Sequence, residues 1–323
     1  MIKTLKALLL ATRPKTLPAG IVAVWAGCMI VWKYQHSNHT KFVQWQAMDI
    51  GELHTIELNW TLAIYTLLSA VCIQIACNLF NDSLDSDKKA DTKKRQGPKR
   101  ITASGELSSR SVKIAACGFL ALAATFAIPL IQAQGWPIIA IGIPSMLCAY
   151  CYTGGPYPLA YKGLGELFVL LFFGLIAVMG TVYVQVGFVY SEFYLYMYAA
   201  AFIVGIQCGL LSCVLIEINN IRDRKEDATT GKNTLAVRIG DKRARGLAMA
   251  FIIAPYATLR QTAVFLPDVN WNLCWLAAIL CGGVILLKIT RTPADKRMNV
   301  LLGLASLHLI LYLLALSAGS LIS

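Results

Sequence analysis

NLFNDSLDSDKKADTKKRQGPKRIT, from Asn78 to Thr102, places carboxylates at the mouth of a membrane-length apolar run and follows them with a basic loop. Asn78, Asp82 and Asp85 stand at i, i+4 and i+7, which at about 100° per residue puts them within roughly a 60° sector of one helical face. Three oxygen donors suited to a metal therefore line up. The run that leads in, ELNWTLAIYTLLSAVCIQIACNLF from Glu57 to Phe80, is long and apolar enough to cross a bilayer. Ionisable groups at the end of such a helix are costly unless solvated or used. The plain alternative is a solvated helix end in a cytoplasmic loop.

Working outward, 57% of the chain is hydrophobic and only 14% is charged, which places it among polytopic membrane proteins rather than soluble domains. Spanning runs fall at about Leu17–Trp32, Leu58–Phe80, Val112–Gln132, Trp136–Tyr152, Leu164–Val186, Phe193–Ile218, Ala244–Phe265, Trp271–Ile289 and Met298–Ile322. The expectation is an all-α bundle of nine transmembrane helices forming one domain over residues 1–323. Lys and Arg concentrate in short cytoplasmic loops. With the N-terminus inside, only Lys33, Lys41 and Arg260 fall outside, leaving 29 − 3 = 26 basic residues inside. The net charge of +12 is thus a topology signal, with some attraction for anionic lipid. No basic helix or aromatic-interleaved platform accompanies it, so no nucleic-acid partner is expected.

Met1–Ala11 is too short in its apolar core for a signal peptide and no A-x-A-like cleavage site precedes Arg13; RPKTLPAG, from Arg13 to Gly20, instead reads as an interfacial segment leading into the first span. Arg13 and Lys15 in it read as snorkelling anchors, with an anion contact as the alternative. His36, His39 and His54 lack paired zinc-ligand spacing. The ten cysteines lie mostly within apolar runs as small packing residues, and Cys148-Ala-Tyr-Cys151 has no redox-fold surroundings. Lys88, Lys89, Lys93, Lys94, Arg95, Lys99 and Arg100, turned at Gly97-Pro98, suit a phosphate as well as an ordinary inside loop. No P-loop motif occurs; TTGKNT near Gly231 lacks the upstream glycine.

YTGGPYPLAYKGLGE, from Tyr152 to Glu166, joins the fourth and fifth runs on the same face. Its glycines and prolines break the helix, while Tyr152, Tyr157, Tyr161 and Lys162 supply ring faces and a cation. Interfacial aromatics arise for solvation alone, and composition by itself favours that account. A second acidic constellation begins at Glu217, EINNIRDRKEDATTGKNTLAVRIG. Asn220, Asp223 and Asp227 occupy i, i+3 and i+7 of one helical face beside Asn219. Four spans separate the clusters, which suggests two pseudo-repeated four-helix halves plus a ninth helix.

Two opposed Asn/Asp clusters among Lys and Arg, opening into lipid, suit a polyanionic head on an apolar tail. Magnesium is commonly held by one or two carboxylates plus substrate phosphates, so each cluster can carry an ion on a diphosphate. Metals and basic residues stabilise a departing diphosphate, and a dry bundle with aromatic faces shelters the allylic cation left behind.

These residues resemble the UbiA-type intramembrane prenyltransferases. The superfamily features are N-D-x-x-D at Asn81, Asp82 and Asp85, the further Asp91, R-x-G-P-x-R at Arg95 to Arg100, and D-x-x-x-D at Asp223 and Asp227. RPKTL, YTGGPxPLAYxGLGE, GTVYVQ at Gly180–Gln185 and NNIRDxxxDxxxGKNTLAVRIG are similar to the 1,4-dihydroxy-2-naphthoate polyprenyltransferase subgroup. Lys89 stands where many relatives have Gly, and Asp87 is an additional acid. The resemblance implies a nine-helix bundle in a bacterial cytoplasmic (inner) membrane, with its site facing the cytoplasm. It implies prenylation of 1,4-dihydroxy-2-naphthoate by a polyprenyl diphosphate at the carbon bearing the carboxylate, with loss of carbon dioxide and diphosphate, in menaquinone biosynthesis. Asp82, Asp85, Asp223 and Asp227 would then be the ligands of Mg2+, with Asn78, Asn81 and Asn220 assisting. Asp91 would serve the metal or hold the basic loop, and Lys99, Arg100, Arg222 and Lys232 would meet diphosphate. Lys162 and Tyr161 would orient the acceptor, with Tyr152 and Tyr157 beside them. Prenylation of hydroxybenzoate or homogentisate, and a divalent-cation-dependent transporter, remain the alternatives.

Overall fold

The computed structural model describes residues 8–36, 56–90, 96–97, 100–266 and 273–321. Asp91 and Lys99 of the expected site lie outside the described residues. Among the described residues the chain is all-helical: α1 (Pro18–Gln35), α2 (Trp60–Asp87), α3 (Ser109–Gln134), α4 (Trp136–Cys151), α5 (Gly165–Val186), α6 (Glu192–Thr229), α7 (Asp241–Phe265), α8 (Leu273–Ile289) and α9 (Met298–Leu321). A 3-10 turn, Leu159–Lys162, precedes α5, and a one-turn helix, Leu235–Ile239, precedes α7. By length and hydropathy α2, α3, α5, α6, α7 and α9 qualify as membrane spans, six where the sequence suggested nine. Helices α4 and α8 are apolar but shorter, at 16 and 17 residues.

Local chemistry sets the starts. The side chains of Asn59, Ser108 and Ser191 accept the backbone N–H groups of Leu62, Ser111 and Tyr194 at 3.1, 3.1 and 3.4 Å. Each such cap is worth about 1 kcal/mol. Helix α6 is the axis of the bundle, since 67% of its most apolar stretch is buried, against 17% for α3 and 28% for α2. The outer helices turn Ile64, Ile114, Leu122 and Ile128 outward, as lipid-facing helices do.

With lipid as solvent, helices gain little from the hydrophobic effect and associate by close packing of small residues. The α5–α6 seam shows this. A Cβ on Gly174 would come within 2.5 Å of the Gly205 carbonyl oxygen, and one on Gly209 within 2.8 Å of the Leu170 carbonyl oxygen. Gly205 and Gly209, four apart on α6, therefore face the stretch of α5 where Leu171–Ile176 forms a π turn.

Two helices run further than their apolar stretches, and this builds the site. Helix α2 continues past Phe80 to Asp87, and α6 continues past Ile218 to Thr229. Both acidic clusters are thus carried on helical backbone. At the end of α2, Lys89 turns left-handed at φ 54°, with its N–H on the Ser86 carbonyl at 3.0 Å and that of Ala90 on the Asp85 carbonyl at 2.9 Å.

Candidate active site

The ends of α2 and α6 meet over a cavity of about 410 Å³. Ten expected site residues line it: Asn78, Asn81, Asp82, Arg100, Tyr152, Asn220, Arg222, Asp223, Asp227 and Lys232. A second, apolar cavity of about 190 Å³ lies against the first, and Gln74, Cys77, Tyr152, Val169 and Phe173 border both.

On the α2 side, Asp85 is buried just behind the lining. Its Oδ2 accepts from Arg100 Nη2 and Lys232 Nζ, each at 3.1 Å, and its Oδ1 accepts from the Tyr161 hydroxyl at 2.9 Å. Residues 15, 76 and 147 positions away thereby close on one carboxylate. Asp82 instead accepts backbone N–H groups, Thr102 at 3.0 Å and Ile101 at 3.3 Å, which pins the start of the segment before α3. Asn81 Oδ1 takes both Arg100 at 2.7 Å and Arg13 at 2.8 Å, and Asn78 Nδ2 donates to the Thr12 carbonyl at 2.9 Å.

On the α6 side, Arg222 grips Asp223 with Nε and Nη2, both at 2.7 Å, and donates Nη1 to Asn299 Oδ1 of α9 at 2.6 Å. Asp227 lies one helical turn below, buried at the cavity wall. Asn220 Nδ2 donates to Glu166 Oε1 at 2.6 Å, linking α6 to the start of α5.

The tyrosine loop divides. Tyr152 reaches the cavity. Tyr161 serves Asp85 and carries Lys88 over its ring at 4.4 Å and Lys232 at 5.5 Å. Burial lowers the Lys88 pKa, Asp85 counters it, and Lys232 adds to the lowering. Lys162 and Tyr157 are exposed and pair with each other, the ammonium 5.1 Å from the ring centre, outside the cavity lining. Asp87, the additional acid, turns away to Lys113 of α3 at 2.5 Å.

Sequence reasoning missed two lining residues. Arg13, read as an anchor, is tied to Asn81, 68 positions away; its signal lay in RPKTL. Glu166 was quoted only as the last letter of a loop motif. It is 5% exposed and lines the cavity between Tyr152 and Asn220.

Chemically the arrangement suits a polyanion: carboxylates, amides and five cations, Arg13, Lys15, Arg100, Arg222 and Lys232, border one polar chamber beside an apolar one. Comparison with known proteins agrees. A model of the UbiA prenyltransferase family matches residues 54–319. The 1,4-dihydroxy-2-naphthoate octaprenyltransferase of Escherichia coli (strain K12) is 31% identical over 281 residues, 84% of this chain and 81% of the relative. The proteins of that name from Haemophilus influenzae and Mycobacterium tuberculosis are 32% and 36% identical, over 72% and 73% of this chain and 69% and 70% of theirs. Among solved structures, a UbiA homolog from Archaeoglobus fulgidus shares the fold with a TM-score of 0.60 at 14% identity, over 98% of this chain and 100% of that one. A digeranylgeranylglyceryl phosphate synthase does so at 0.56 and 14%, over 99% of each. By family match, relatives and fold alike, the chain belongs to the UbiA prenyltransferase family.

Proposed function

We propose that the chain transfers a polyprenyl group from an all-trans polyprenyl diphosphate to 1,4-dihydroxy-2-naphthoate, releasing carbon dioxide and diphosphate and giving a demethylmenaquinol. The carrying observation is the single polar cavity in which the acid-bearing ends of α2 and α6 meet Arg100, Arg222 and Lys232, adjoining an apolar cavity fit for a hydrocarbon tail. The similarity to naphthoate octaprenyltransferases supports the acceptor.

The donor set fits magnesium, being entirely oxygen from carboxylates and amides. Among the described residues no three His, Cys, Asp or Glu side chains form a ready cage, as suits an ion that completes its shell with substrate phosphates. Asp82, Asp85, Asp223 and Asp227 would hold Mg2+, which when bound supplies positive charge against the leaving diphosphate. Arg100, Arg222 and Lys232 bind the diphosphate oxygens and orient the carbon–oxygen bond toward the acceptor. Tyr152 packs on the acceptor ring. Its carboxylate meets Arg13 and Lys15, which border the cavity, in preference to Lys162, which sits exposed over Tyr157. On this reading the site faces the cytoplasmic side of a bacterial inner membrane, which the charge bias of the loops supports.

Membranes containing the protein, incubated with naphthoate, a polyprenyl diphosphate and magnesium, yield a product with the mass of a prenylated naphthoquinol lacking the carboxyl group. Equal or better turnover of 4-hydroxybenzoate or homogentisate would move the acceptor assignment. Turnover unaffected by chelation of divalent ions would remove the metal.

A further inference from the structure

Gln74 stands one turn deeper in α2 than Asn78 and two turns deeper than Asp82, on the same helical face. It is 5% exposed and borders both cavities. Its amide bridges their walls. Nε2 donates at 2.7 Å to the carbonyl oxygen of Thr16, which lines the polar chamber. Oε1 lies against Gly20, which lines the apolar one, and a Cβ on Gly20 would come within 2.6 Å of it. A carbonyl only accepts, so the Thr16 contact fixes which end of the amide is nitrogen. Oε1 is then buried with no N–H or O–H among the described residues directed at it. Such an acceptor, left unbonded, is costly. Of the other residues that border both cavities, Val169 and Phe173 are apolar and Cys77 is a weak partner. Tyr152 holds its hydroxyl toward Gly165, 3.0 Å from where a Cβ would stand.

We propose that Gln74 sets acceptor specificity, its Oε1 taking a hydrogen bond from the 4-hydroxyl of the naphthoate. This rests on the prenyl-transfer reading above. With the diphosphate in the polar chamber and the prenyl tail in the apolar one, the reacting carbon lies at their junction, where Gln74 stands. The acceptor ring has to bring its own carbon to the same place. Arg13 and Lys15 take its carboxylate, and Gln74 is tied to Thr16 beside them. The 1-hydroxyl neighbours that carboxylate and hydrogen-bonds to it within the molecule, so the donor left for the protein is the 4-hydroxyl. A second fixed contact stops the ring from pivoting on its carboxylate. The 4-hydroxyl also lies meta to the carbon attacked, which makes it a handle for recognition rather than for activation of the ring.

The test compares 1,4-dihydroxy-2-naphthoate with 1-hydroxy-2-naphthoate, which keeps the carboxylate and the activating hydroxyl and lacks only the 4-hydroxyl, in membranes containing the full chain. An acceptor left buried and unbonded by the analogue is worth a factor of about 10–100, so the unaltered protein favours the natural ring in kcat/KM by that order beyond the difference in ring reactivity. That reactivity difference is the same for every variant, and a change in the ratio therefore belongs to the protein. Gln74→Met removes the acceptor atom at similar side-chain length, and the preference falls by about 10–100-fold, with KM for the prenyl diphosphate within a few-fold. Gly20→Ala keeps the amide but displaces Oε1, and lowers the preference part of the way. This milder variant decides the matter if Gln74→Met does not insert and fold. An unmoved ratio overturns the inference. So does an equal fall for both naphthoates, which marks Gln74 as a prop that only holds Thr16 and the carboxylate seat beside it. Prenylation of neither naphthoate by the unaltered protein overturns the acceptor assignment itself, and this inference falls with it.

Discussion

Asp85 accepts from Arg100, Lys232 and Tyr161 at once, and its side chain is buried. Asp85→Asn keeps the shape but leaves cations without their buried counter-charge, and breaking such a pair typically costs about 3–5 kcal/mol. The variant is therefore expected to lose thermal stability in detergent together with turnover. Asp82 differs, because its oxygens take backbone N–H groups that an amide oxygen still accepts in part. Asp82→Asn should lose turnover by at least about 10²-fold, in line with removal of a key charge-stabilising group, while its melting temperature moves far less. A variant that melts early and also turns over normally would show that the carboxylate only pins the segment before α3. Arg13 and Lys162 make a second contrast. Arg13→Met raises KM for the acceptor strongly, whereas Lys162→Met, seated on an exposed ring, changes it by no more than a few-fold; steady-state kinetics with each substrate varied decides, and the reverse split would return the acceptor carboxylate to Lys162. The Asp spacings were legible because both clusters repeat at helical intervals. Arg13 and Glu166 were not, since spacing along one helix says nothing of which distant segment closes over it.

Helix ends carry most of what the apolar runs left unread. Hydropathy located α1 to α9 among the described residues, but it stops at Phe80 and Ile218, whereas α2 and α6 continue to Asp87 and Thr229. Asn81, Asp82, Asp85 and Arg222 on those last turns bond partners from other elements, and no local pattern announces that. Nor does composition announce the π turn in α5, which lies at the glycine-lined seam with α6. The departure at Lys89, legible as a residue replacing Gly, acquires a physical meaning: it is the left-handed residue that ends α2. A non-glycine residue pays about 1–2 kcal/mol there. Lys89→Gly is accordingly expected to stabilise the protein by about 1 kcal/mol, seen as a raised melting temperature with activity retained. No gain would mean that the lysine side chain offsets its own strain. At the seam, Gly209→Leu forces α5 and α6 apart, because even a Cβ meets the Leu170 backbone, and should abolish stable expression.

At the scale of the bundle, a common polar end implies a common side of the membrane. Single cysteines at Tyr157 and Thr229, in a background cleared of native thiols, should react with an impermeant reagent only from the cytoplasmic side of sealed vesicles; labelling of either from outside would break the shared-face arrangement. The apolar cavity sets the remaining expectation. It borders the polar chamber through Gln74, Cys77 and Tyr152, so a prenyl diphosphate seated at the Asp clusters sends its tail into it. Gly142 of α4 lines this cavity, and a Cβ added there meets no atom within 4 Å. A larger side chain at that position consequently fills the tail's space without pressing on backbone, and exchanging a helical glycine costs no helix propensity. Gly142→Phe should keep its fold and its turnover of a short donor such as geranyl diphosphate, while losing turnover of long polyprenyl donors. Gly118 of α3 is equally open but lies outside the cavity lining, so Gly118→Phe serves as the control and should leave donor preference unchanged. Product masses from an equimolar mixture of short and long donors give the ratio directly. If Gly142→Phe leaves that ratio as it is in the unaltered protein, the tail runs elsewhere, along the lipid-facing surface of the bundle.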